Sequence, residues 1–485
     1  MVAPLTTTRE SGDVDSHYDL VVVGSGPAGE KGAALAAFHG KRVALVERAP
    51  QPGGTMVNGV ASTKTMREAA LYLTSFRQRA VYGVGMEVAP ELAVRGVQER
   101  ARQVEQLLAS AVKENLDRHG VTLLPGSARL MGEGRIEVQP SSGGDAPHVM
   151  TSDVILLATG ARPYHPPNMP FEHRDVLDSE SAARLDRPAR SVVVIGGGAV
   201  ACEFASIFAA LGSEVALLEG HDRLLSFVDA QIAAQLAEAF VSMGIDVHLD
   251  AGRIEVAADA DGVVVRTGDG AVRYPSKVIV AAGRAGNTEG LGLEAAGVRT
   301  DGRGHIVVDE TFETSVSGIY AAGDVTGPPA LASVSMEQGR VAMCHAFGIP
   351  VRTAVDGQAP FGVYSIPEVA MVGLTEEAAR SSYDDVLVGR ARLSRNARTA
   401  ITGGAAGLVK LVFRAGDRRI LGVHILGDNA TELIHIAQAV ISADGTLDYF
   451  INATFATPSE TEAFKYAAYD GLSRAENRPT LTVNA

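Results

Sequence analysis

A glycine-rich pattern occurs twice in this chain, and it constrains the fold more than any other feature of the sequence. The first copy is YDLVVVGSGPAGEKGAALAAFHGKRVALVER and the second is SVVVIGGGAVACEFASIFAALGSEVALLEG. Each has an apolar run, a glycine turn, an alanine-rich stretch and a second apolar run that reaches an acid. The order predicts strand, turn, helix and strand. The chain is therefore predicted to contain two βαβ units of the kind that binds a dinucleotide.

The residues of the first copy have separate tasks in such a unit. Gly24 makes the tight turn, Gly26 lets the backbone approach a pyrophosphate, and Gly29 lets the helix pack closely on the strand. The N-terminus of the helix then presents partial positive charge to the pyrophosphate. Glu47, at the end of the second strand, can accept hydrogen bonds from a ribose.

The second copy has the same spacing. Its turn carries Gly196 and Gly198, with Ala201 in the third position, which the fingerprint tolerates. Glu219 follows Gly196 by 23 residues, as Glu47 follows Gly24. Two dinucleotide sites in one chain indicate two cofactors that are brought together for electron transfer. The predicted fold class is α/β with two Rossmann-like domains.

Bulk composition excludes several classes of function. The 485 residues are 46% hydrophobic and 21% charged, without an apolar run of about 18 residues, which predicts a soluble chain without a membrane span. A net charge of −14 disfavours nucleic acid and anionic membranes as partners. No signal peptide is recognised, so a cytoplasmic location is expected. Cys202 and Cys344 have no metal-like spacing, and no metal site is predicted; both are expected to be buried in helices.

Further motifs carry a resemblance to a known family. They are ATGARP, AAGRAGNT, GIYAAGDV, YSIPEVAMVGLTEE, GLVKLVF and ILGVHILGDNATELIHIAQAV. With the glycine units they resemble the pyridine nucleotide-disulfide oxidoreductases, such as lipoamide dehydrogenase, over about residues 18–473. The resemblance implies FAD in the first site, a nicotinamide nucleotide in the second, and a C-terminal α+β domain that forms a homodimer.

The same resemblance implies a division of the chain. An FAD domain is expected at 18–162 and 287–352, an NAD(P)-binding domain at 163–286, and the dimerisation domain at 361–473. Residues 1–17 and 474–485 are expected to be disordered tails.

The resemblance also implies site residues. The residue that matches Lys64 sits beside flavin N5 and is paired with the match of Glu203, and the match of Asp324 holds the ribityl chain. An ammonium near N5 would stabilise negative charge as the flavin accepts hydride, and Glu203 would offset the cost of burying the lysine. The other cofactor contacts expected from the family are Gly54, Thr55, Thr159, Gly160, Gly283 and Ala332.

Two departures from the family pattern concern its sulfur chemistry. In GGTMVNGVASTK, Met56 stands at the first redox cysteine and, after a one-residue deletion, Val60 stands at the second. Thr457 occupies the place of the catalytic histidine, whereas Glu462 matches its acidic partner and is kept as a candidate catalytic residue. Disulfide reduction through those thiols is therefore excluded. The loss of the cysteines and the loss of the histidine agree with each other, because a histidine base would have no thiol to deprotonate.

Within the family, the chain resembles the soluble pyridine nucleotide transhydrogenases, a branch without a working disulfide. The resemblance implies an FAD-dependent NAD(P)H oxidoreductase that passes hydride between NAD(H) and NADP(H). Glu219 opposes this prediction, because a carboxylate about 4 Å from a 2′-phosphate repels it by roughly 4 kcal/mol at an effective dielectric near 20. His221 and Arg223 could offset this charge by contacting the phosphate; alternatively, Arg223 is a surface helix residue.

Two other functions stay open at this point. The first is an NADH-dependent flavin oxidoreductase, either an oxidase or diaphorase or an enzyme with a specialised small organic acceptor. Glu219 and the altered Met56–Ser62 segment favour it. The second, from a different class, is a catalytically silent FAD-binding scaffold or redox sensor, and the retained Lys64 and complete second fingerprint speak against it.

Overall fold

The computed structural model describes residues 17–78, 90–142, 146–185, 187, 189–404 and 407–475. The predicted tails, apart from His17 and residues 474–475, lie outside the described residues. Contacts within the chain define two compact units. The first comprises residues up to 58, 105–162 and 284–355, and the second comprises 59–104, 163–283 and the residues from 356 onward.

The first glycine fingerprint folds as predicted, into strand, helix and strand. The apolar runs become strands and the alanine-rich stretch becomes a helix that begins at Pro27, whose missing N–H costs nothing in the first turn. The elements of this part of the chain are β1 (His17–Val23), α1 (Pro27–Phe38), β2 (Val43–Glu47), α2 (Ala61–Gln78), α3 (Pro90–Arg118), β3 (Thr122–Gly132), β4 (Arg135–Pro140), β5 (His148–Leu157) and β6 (Ala161–Pro163).

The second fingerprint repeats this arrangement in the second unit. Its elements are β7 (Val176–Leu177), α4 (Ser179–Ala182), β8 (Ser191–Ile195), α5 (Ala199–Leu211), β9 (Glu214–Leu218), α6 (Ala230–Ser242), β10 (Asp246–His248), β11 (Glu255–Asp259), β12 (Gly262–Arg266), β13 (Val272–Arg273) and β14 (Lys277–Val280). The parallel sheet has the order β10-β9-β8-β14-β7, and β11 to β13 form a separate antiparallel sheet.

The chain then returns to the first unit. This return consists of β15 (Arg284–Gly286), α7 (Leu293–Ala296), β16 (Ile319–Ala321) and α8 (Ala332–Phe347). In the sheet of the first unit, β1 lies between β2 and β5, β3 adds beyond β2, and β16 adds beyond β5, all in parallel. Strand β4 forms antiparallel pairs with β3 and β5. The central strand β1 is nearly continuous in hydrophobic residues because both faces of such a sheet are covered.

The C-terminal part of the second unit is α+β, as predicted. Its antiparallel sheet has the order β17-β18-β21-β20-β19. Its elements are β17 (Phe361–Val363), β18 (Glu368–Gly373), α9 (Glu376–Ser382), β19 (Val386–Arg392), α10 (Ala397–Thr402), β20 (Leu408–Arg414), β21 (Ile420–Gly427), α11 (Ala430–Ser442), α12 (Leu447–Asn452) and α13 (Glu462–Ala475). The predicted α/β fold class is thus confirmed, whereas the predicted domain boundaries stay predictions.

Both cysteines are buried in helices, as expected. Cys202 lies in α5 and Cys344 in α8, and neither forms a disulfide. Burial, together with the nearby Glu203 and Glu219 carboxylates, raises the pKa of the Cys202 thiol. Within the described ranges, no helix is long and apolar enough to cross a membrane, and no group of three or more metal-ligating side chains is found.

Candidate dinucleotide and redox site

The first glycine turn has a geometry that only glycine fits at two positions. Gly24 has a φ of +99°, and a Cβ there would lie 2.5 Å from the carbonyl oxygen of Ala158. A Cβ at Gly29 would lie 1.9 Å from the carbonyl oxygen of Gly24, so helix α1 packs directly on the turn. At Gly26 a Cβ would meet nothing within 4 Å, and the N-terminus of α1 has no side-chain cap. The turn therefore leaves open space in front of uncapped backbone N–H groups.

Glu47 is held in place beside this turn. Its Oε2 accepts hydrogen bonds from the Ser25 N–H at 2.8 Å and the Ser25 hydroxyl at 2.5 Å, and its Oε1 accepts one from the Ala49 N–H at 2.7 Å. The side chain is buried. A carboxylate has about four acceptor positions, so one stays available for a ribose hydroxyl.

Several polar groups of the first unit have unused hydrogen-bonding capacity. The hydroxyl of Thr159 is buried without a hydrogen-bond partner in the described part of the chain, and the same holds for Nε of Arg284. Asp324 is partly buried: it accepts one long hydrogen bond, 3.3 Å, from the Ser335 hydroxyl, and its Oδ2 lies 4.0 Å from Nε of Arg284. Buried polar atoms are almost always hydrogen-bonded, so the Thr159 hydroxyl and the Arg284 Nε point to a polar ligand. The residues of the first unit fit FAD.

The remaining residues predicted for the first site lie on the same unit. Gly160 has a φ of +69°, and its carbonyl oxygen accepts the Asn287 N–H at 2.9 Å. Gly54 has a φ of +57°, and a Cβ there would lie 3.1 Å from the Cα of Gly26. Thr55 follows Gly54, and Ala332 is the first residue of α8. Their cofactor contacts stay predictions.

The second glycine turn resembles the first. Gly196 has a φ of +115°, and a Cβ there would lie 2.6 Å from the carbonyl oxygen of Ala281. Gly198 leaves open space before α5, which also lacks a side-chain cap, and Ala201 is fully buried. Gly283, with a φ of +99°, accepts the Tyr164 N–H on its carbonyl oxygen. This turn too fits a pyrophosphate.

Glu219 is more open than Glu47. Its Oε1 accepts hydrogen bonds from the His221 N–H at 2.8 Å and contacts His221 Nδ1 at 2.5 Å, while its Oε2 has no donor in the described residues. Arg223 contacts Glu377 at 3.2 Å and the Ser226 carbonyl oxygen at 2.9 Å. Arg223 lies in the loop between β9 and α6, so the alternative of a surface helix residue is wrong. It would have to leave these partners to reach a phosphate.

Lys64 and Glu203 form an ion pair in the second unit. The Nζ of Lys64, on α2, lies 2.7 Å from Oε2 of Glu203, on α5. The other carboxylate oxygen of Glu203 accepts the Tyr364 N–H at 2.9 Å. The Lys64 Nζ also lies 4.8 Å from the centroid of the Tyr364 ring. The ammonium is therefore held between a carboxylate and an aromatic face.

The segment predicted to stand in place of the family's redox disulfide is helical. Met56–Val60 forms a π-helical turn that leads directly into α2. The Thr63 hydroxyl donates to the carbonyl oxygens of Gly59 and Val60, at 3.1 and 3.2 Å. The only sulfur of this segment is the thioether of Met56, so the segment cannot form a thiolate or a disulfide.

The second departure from the family pattern, at Thr457, involves a hydrogen bond to Glu462. The hydroxyl of Thr457 donates to Oε1 of Glu462 at 2.8 Å, and Glu462 is the first residue of α13. Thr457 is exposed. A hydroxyl has no basic nitrogen, so this pair cannot act as a histidine–carboxylate base at neutral pH. The catalytic role of Glu462 stays a prediction.

Comparison with known proteins decides the family. The model of the pyridine nucleotide-disulphide oxidoreductases matches residues 18–339, and the model of their dimerisation domain matches residues 359–468. The chain belongs to this family. It is therefore a flavin-dependent NAD(P)H oxidoreductase, and the family resemblance found in the sequence is confirmed.

Several individual proteins are similar over almost their whole length. The soluble pyridine nucleotide transhydrogenase of Mycobacterium tuberculosis is 40% identical over 459 residues, which cover 94% of this chain and 98% of that protein. The protein of that name from Marinomonas is 35% identical over 464 residues, 94% and 99% of the two chains. The solved structure of LpdA from M. tuberculosis has a TM-score of 0.84 at 27% identity, with 93% and 99% covered. The HOCl-induced flavoprotein disulfide reductase RclA from Escherichia coli, as its Cu(II) complex, has a TM-score of 0.83 at 27% identity, with 93% and 99% covered.

Three residues that lie next to the predicted site residues were not identified as site residues from the sequence. Ser25, which holds Glu47, stands between two glycines of the fingerprint, and an acid at the second strand end is the signal that could have drawn attention to it. Arg284 and Tyr364 lie in the motifs AAGRAGNT and YSIPEVAMVGLTEE, but the motifs were used only to identify the family, and neither residue was given a role. Tyr364 is 161 residues from its hydrogen-bond partner Glu203, and only the packed fold brings them together.

Proposed function

We propose that this protein is a soluble pyridine nucleotide transhydrogenase, which transfers hydride between NAD(H) and NADP(H) through FAD. The observation that carries the proposal is the 40% identity to transhydrogenases over 98% of their length. The sulfur chemistry supports it: the chain has two cysteines, both are buried in helices, and neither stands in the segment at Met56–Val60. A family member without a redox disulfide must transfer electrons directly from flavin to its acceptor.

In the first site, the residues around Gly24 and Gly26 bind the dinucleotide. The N–H groups at the start of α1 would hold the pyrophosphate, Glu47 would accept a hydrogen bond from a ribose hydroxyl, and Asp324 would accept hydrogen bonds from the ribityl chain. The Thr159 hydroxyl, which has no hydrogen-bond partner among the described residues, would supply a further donor. When bound, FAD supplies two-electron chemistry, since it can take a hydride from one nicotinamide and give it to another.

In the second site, the residues around Gly196 and Gly198 bind each nicotinamide nucleotide in turn. The Oε2 of Glu219, which has no donor among the described residues, would accept hydrogen bonds from the ribose hydroxyls of NAD(H). NADP(H) requires that the 2′-phosphate avoids this carboxylate, and His221 is the neighbouring group that can move onto the phosphate, because its ring is largely exposed. This site must release its ligand in every cycle, so moderate affinity is an advantage.

The family resemblance assigns Lys64 and Glu203 an electrostatic role at the flavin ring. In that role, the Lys64 ammonium would stabilise negative charge on the ring. Glu203 orients the ammonium and offsets the cost of its partial burial, with side-chain exposures of 28% for the lysine and 11% for the glutamate. The role of the ion pair would therefore be electrostatic stabilisation rather than transfer of a proton.

We also propose a cytoplasmic homodimer, supported by the match to the family's dimerisation domain at residues 359–468. Thr457 and Glu462 lie in this domain. A small-molecule acceptor other than a nicotinamide is not required by the proposed reaction.

The test is an anaerobic stopped-flow experiment in two steps. NADH is mixed with the purified holoenzyme, and the loss of flavin absorbance near 450 nm is followed. After removal of free nucleotide, NADP⁺ is added, and the expected result is recovery of flavin absorbance with one NADPH formed per flavin. NAD⁺ serves as the matched acceptor control. If the reduced flavin is reoxidised only by oxygen, the proposal is wrong.

A second function is favoured by Glu219, namely an NADH-dependent flavin oxidoreductase with oxygen, a quinone or a specialised small molecule as acceptor. The open Oε2 suits NAD(H), and the π-helical turn at Met56–Val60 changes the segment that carries the disulfide in other members. Rapid NADH consumption with peroxide formation or quinone reduction, without NADPH formation, would support it. A silent scaffold would instead show no bleaching by NADH.

A further inference from the structure

A single turn of the C-terminal region is tied to both helices that carry the ion pair. This turn, Tyr364–Pro367, connects β17 and β18. Its Tyr364 N–H donates to Glu203 on α5, and its Tyr364 ring lies against Lys64 on α2. One residue thus contacts both members of the pair.

The turn itself is anchored on both sides. The Ile366 N–H donates to the Ser206 hydroxyl at 3.0 Å, one turn along α5 from Glu203. Nε of Arg67, three residues after Lys64 on α2, donates to the Ser365 carbonyl oxygen at 3.3 Å. The Arg67 guanidinium also lies 2.6 Å from Glu368, and both of these side chains are buried. The position of Tyr364 relative to the two helices is therefore fixed by its neighbours.

The two partners of the ammonium have different character. Glu203 contacts the ammonium through its carboxylate oxygen, whereas Tyr364 contacts it through an aromatic ring. Burial, with the Glu368 and Glu432 carboxylates as a smaller cause, raises the pKa of the Tyr364 phenol and so favours the neutral ring. A neutral ring offers its negative face without adding a charge. It can therefore restrain the flexible lysine without cancelling the positive charge that the flavin needs.

We propose that Tyr364 is a positioning residue for Lys64: its ring and its N–H together hold the Lys64 ammonium and the Glu203 carboxylate in one fixed arrangement. This inference rests on the proposed role of Lys64 at the flavin. Tyr364 is proposed as a second partner of the ammonium, because Glu203 restrains the ammonium from one side only.

A double-mutant cycle tests the proposal on the holoenzyme. Tyr364→Leu removes the ring and Tyr364→Phe keeps it, and each is made with Lys64 intact and with Lys64→Met. With Lys64 intact, we expect Tyr364→Leu to slow anaerobic flavin reduction by NADH about threefold and to lower the flavin midpoint potential, because both side chains are partly exposed and a cation–π contact at such a site has a modest effect. Tyr364→Phe is expected to restore most of the rate. With Lys64→Met, the Tyr364→Leu change should have no further effect.

Chemical labelling gives a readout other than electron transfer. The rate at which acetic anhydride modifies Lys64 in the holoenzyme is measured by mass spectrometry, with the exposed Lys113 as internal control. Tyr364→Leu is expected to raise the Lys64 rate several-fold and to leave Lys113 unchanged, and Tyr364→Phe to match the parent protein. Should Tyr364→Leu not retain FAD, Tyr364→Met supplies a second non-aromatic side chain.

The inference is overturned if the effects of Tyr364→Leu and Lys64→Met on the midpoint potential are simply additive, or if labelling of Lys64 does not change. Both readouts are independent of the second nucleotide. If NADP⁺ fails to reoxidise the reduced flavin, the transhydrogenase proposal fails while the midpoint and labelling results still decide the role of Tyr364.

Discussion

The two glycine fingerprints have the same spacing, but the carboxylate at the end of the second strand has different hydrogen-bond partners in each. In the first, Ser25 stands between the glycines, and its N–H and hydroxyl both bind Oε2 of Glu47. In the second, Gly197 takes that place, and Oε2 of Glu219 has no donor in the described residues. A Cβ at Gly197 would lie 2.4 Å from that oxygen. The missing side chain is therefore what leaves room for the open carboxylate.

This difference matches the two tasks of a flavoprotein that uses a nicotinamide substrate. A resident cofactor is best served by an acid that the protein has already oriented, because ordering it then costs nothing on binding. An exchanging substrate needs an acid with an unused oxygen and a loop that can adjust. In this chain, the residue between the first two glycines thus distinguishes two kinds of fingerprint. A holding site has a serine there and an acid that is already hydrogen-bonded, and an exchange site has a glycine there and an acid with an unused oxygen.

The largest expected effect comes from the third fingerprint position. Gly29→Ala places a Cβ 1.9 Å from the Gly24 carbonyl oxygen, so helix α1 must move away from the turn. We expect the purified protein to lack FAD, measured as flavin absorbance per chain. The matched control is Ala201→Gly in the second unit, where a glycine in a helix costs roughly 1 kcal/mol. It should retain FAD and lose only a few degrees of thermal stability. Full flavin content in Gly29→Ala would contradict the assigned packing.

The next effect concerns the choice between NAD and NADP. Glu219→Gln removes the charge that opposes a 2′-phosphate, and part of the roughly 4 kcal/mol expected at 4 Å and an effective dielectric near 20 is lost to solvent screening. We expect the ratio of kcat/KM for NADPH over NADH to rise about a hundredfold. Glu47→Gln should leave this ratio unchanged and weaken FAD retention instead. An unchanged ratio in Glu219→Gln would mean that the phosphate binds away from Glu219.

The sequence was sufficient for features that depend on local pattern. Glycine spacing and apolar runs identified both βαβ units, because a tight turn with positive φ and a close helix restrict the residues at Gly24, Gly29 and Gly196. Family motifs added the pairing of Lys64 with Glu203. Contacts between distant segments were not predictable in this way. The backbone N–H of Tyr364 donates to the side chain of Glu203 on α5, 161 residues away, and nothing in either segment alone specifies the other.

The segment at Met56–Val60 shows a second limit. The loss of cysteines was visible in the sequence, but the π-helical turn was not, because such turns depend on how the preceding loop and α2 are joined rather than on residue preference. Here Gly53, with a φ of +113°, is followed by the buried Val57, whose methyl lies where a Cβ on Gly53 would be. The packing of Val57 against Gly53 therefore leaves no room for a Cβ at position 53.

A smaller effect is expected when the second fingerprint is made to resemble the first. Gly197→Ser places its Cβ against Oε2 of Glu219, so the carboxylate must turn away or accept a hydrogen bond from the new hydroxyl. We expect the KM for NADH to rise about tenfold, since one charged hydrogen bond to the substrate is worth about 1.5 kcal/mol. Flavin content and the flavin midpoint potential should not change. Gly197→Ala separates the steric part from the hydroxyl, and an unaltered KM in both variants would show that Oε2 does not bind the ribose.

The smallest effect is expected from the reverse change in the first fingerprint. Ser25→Ala removes the hydroxyl that donates to Glu47 at 2.5 Å and accepts the Gly53 N–H at 2.8 Å, while the backbone N–H groups of Ser25 and Ala49 still hold the carboxylate. A net loss of about 1 kcal/mol corresponds to roughly fivefold weaker FAD binding. The dissociation constant is measured by flavin fluorescence on dilution, with Thr63→Ala, which removes a hydroxyl from the second unit, as the control. Because two donors remain on Glu47, the variant should still purify with FAD; a complete loss would mean that the hydroxyl, rather than the backbone, fixes the acid, and the distinction drawn between a holding site and an exchange site would then depend on that one oxygen.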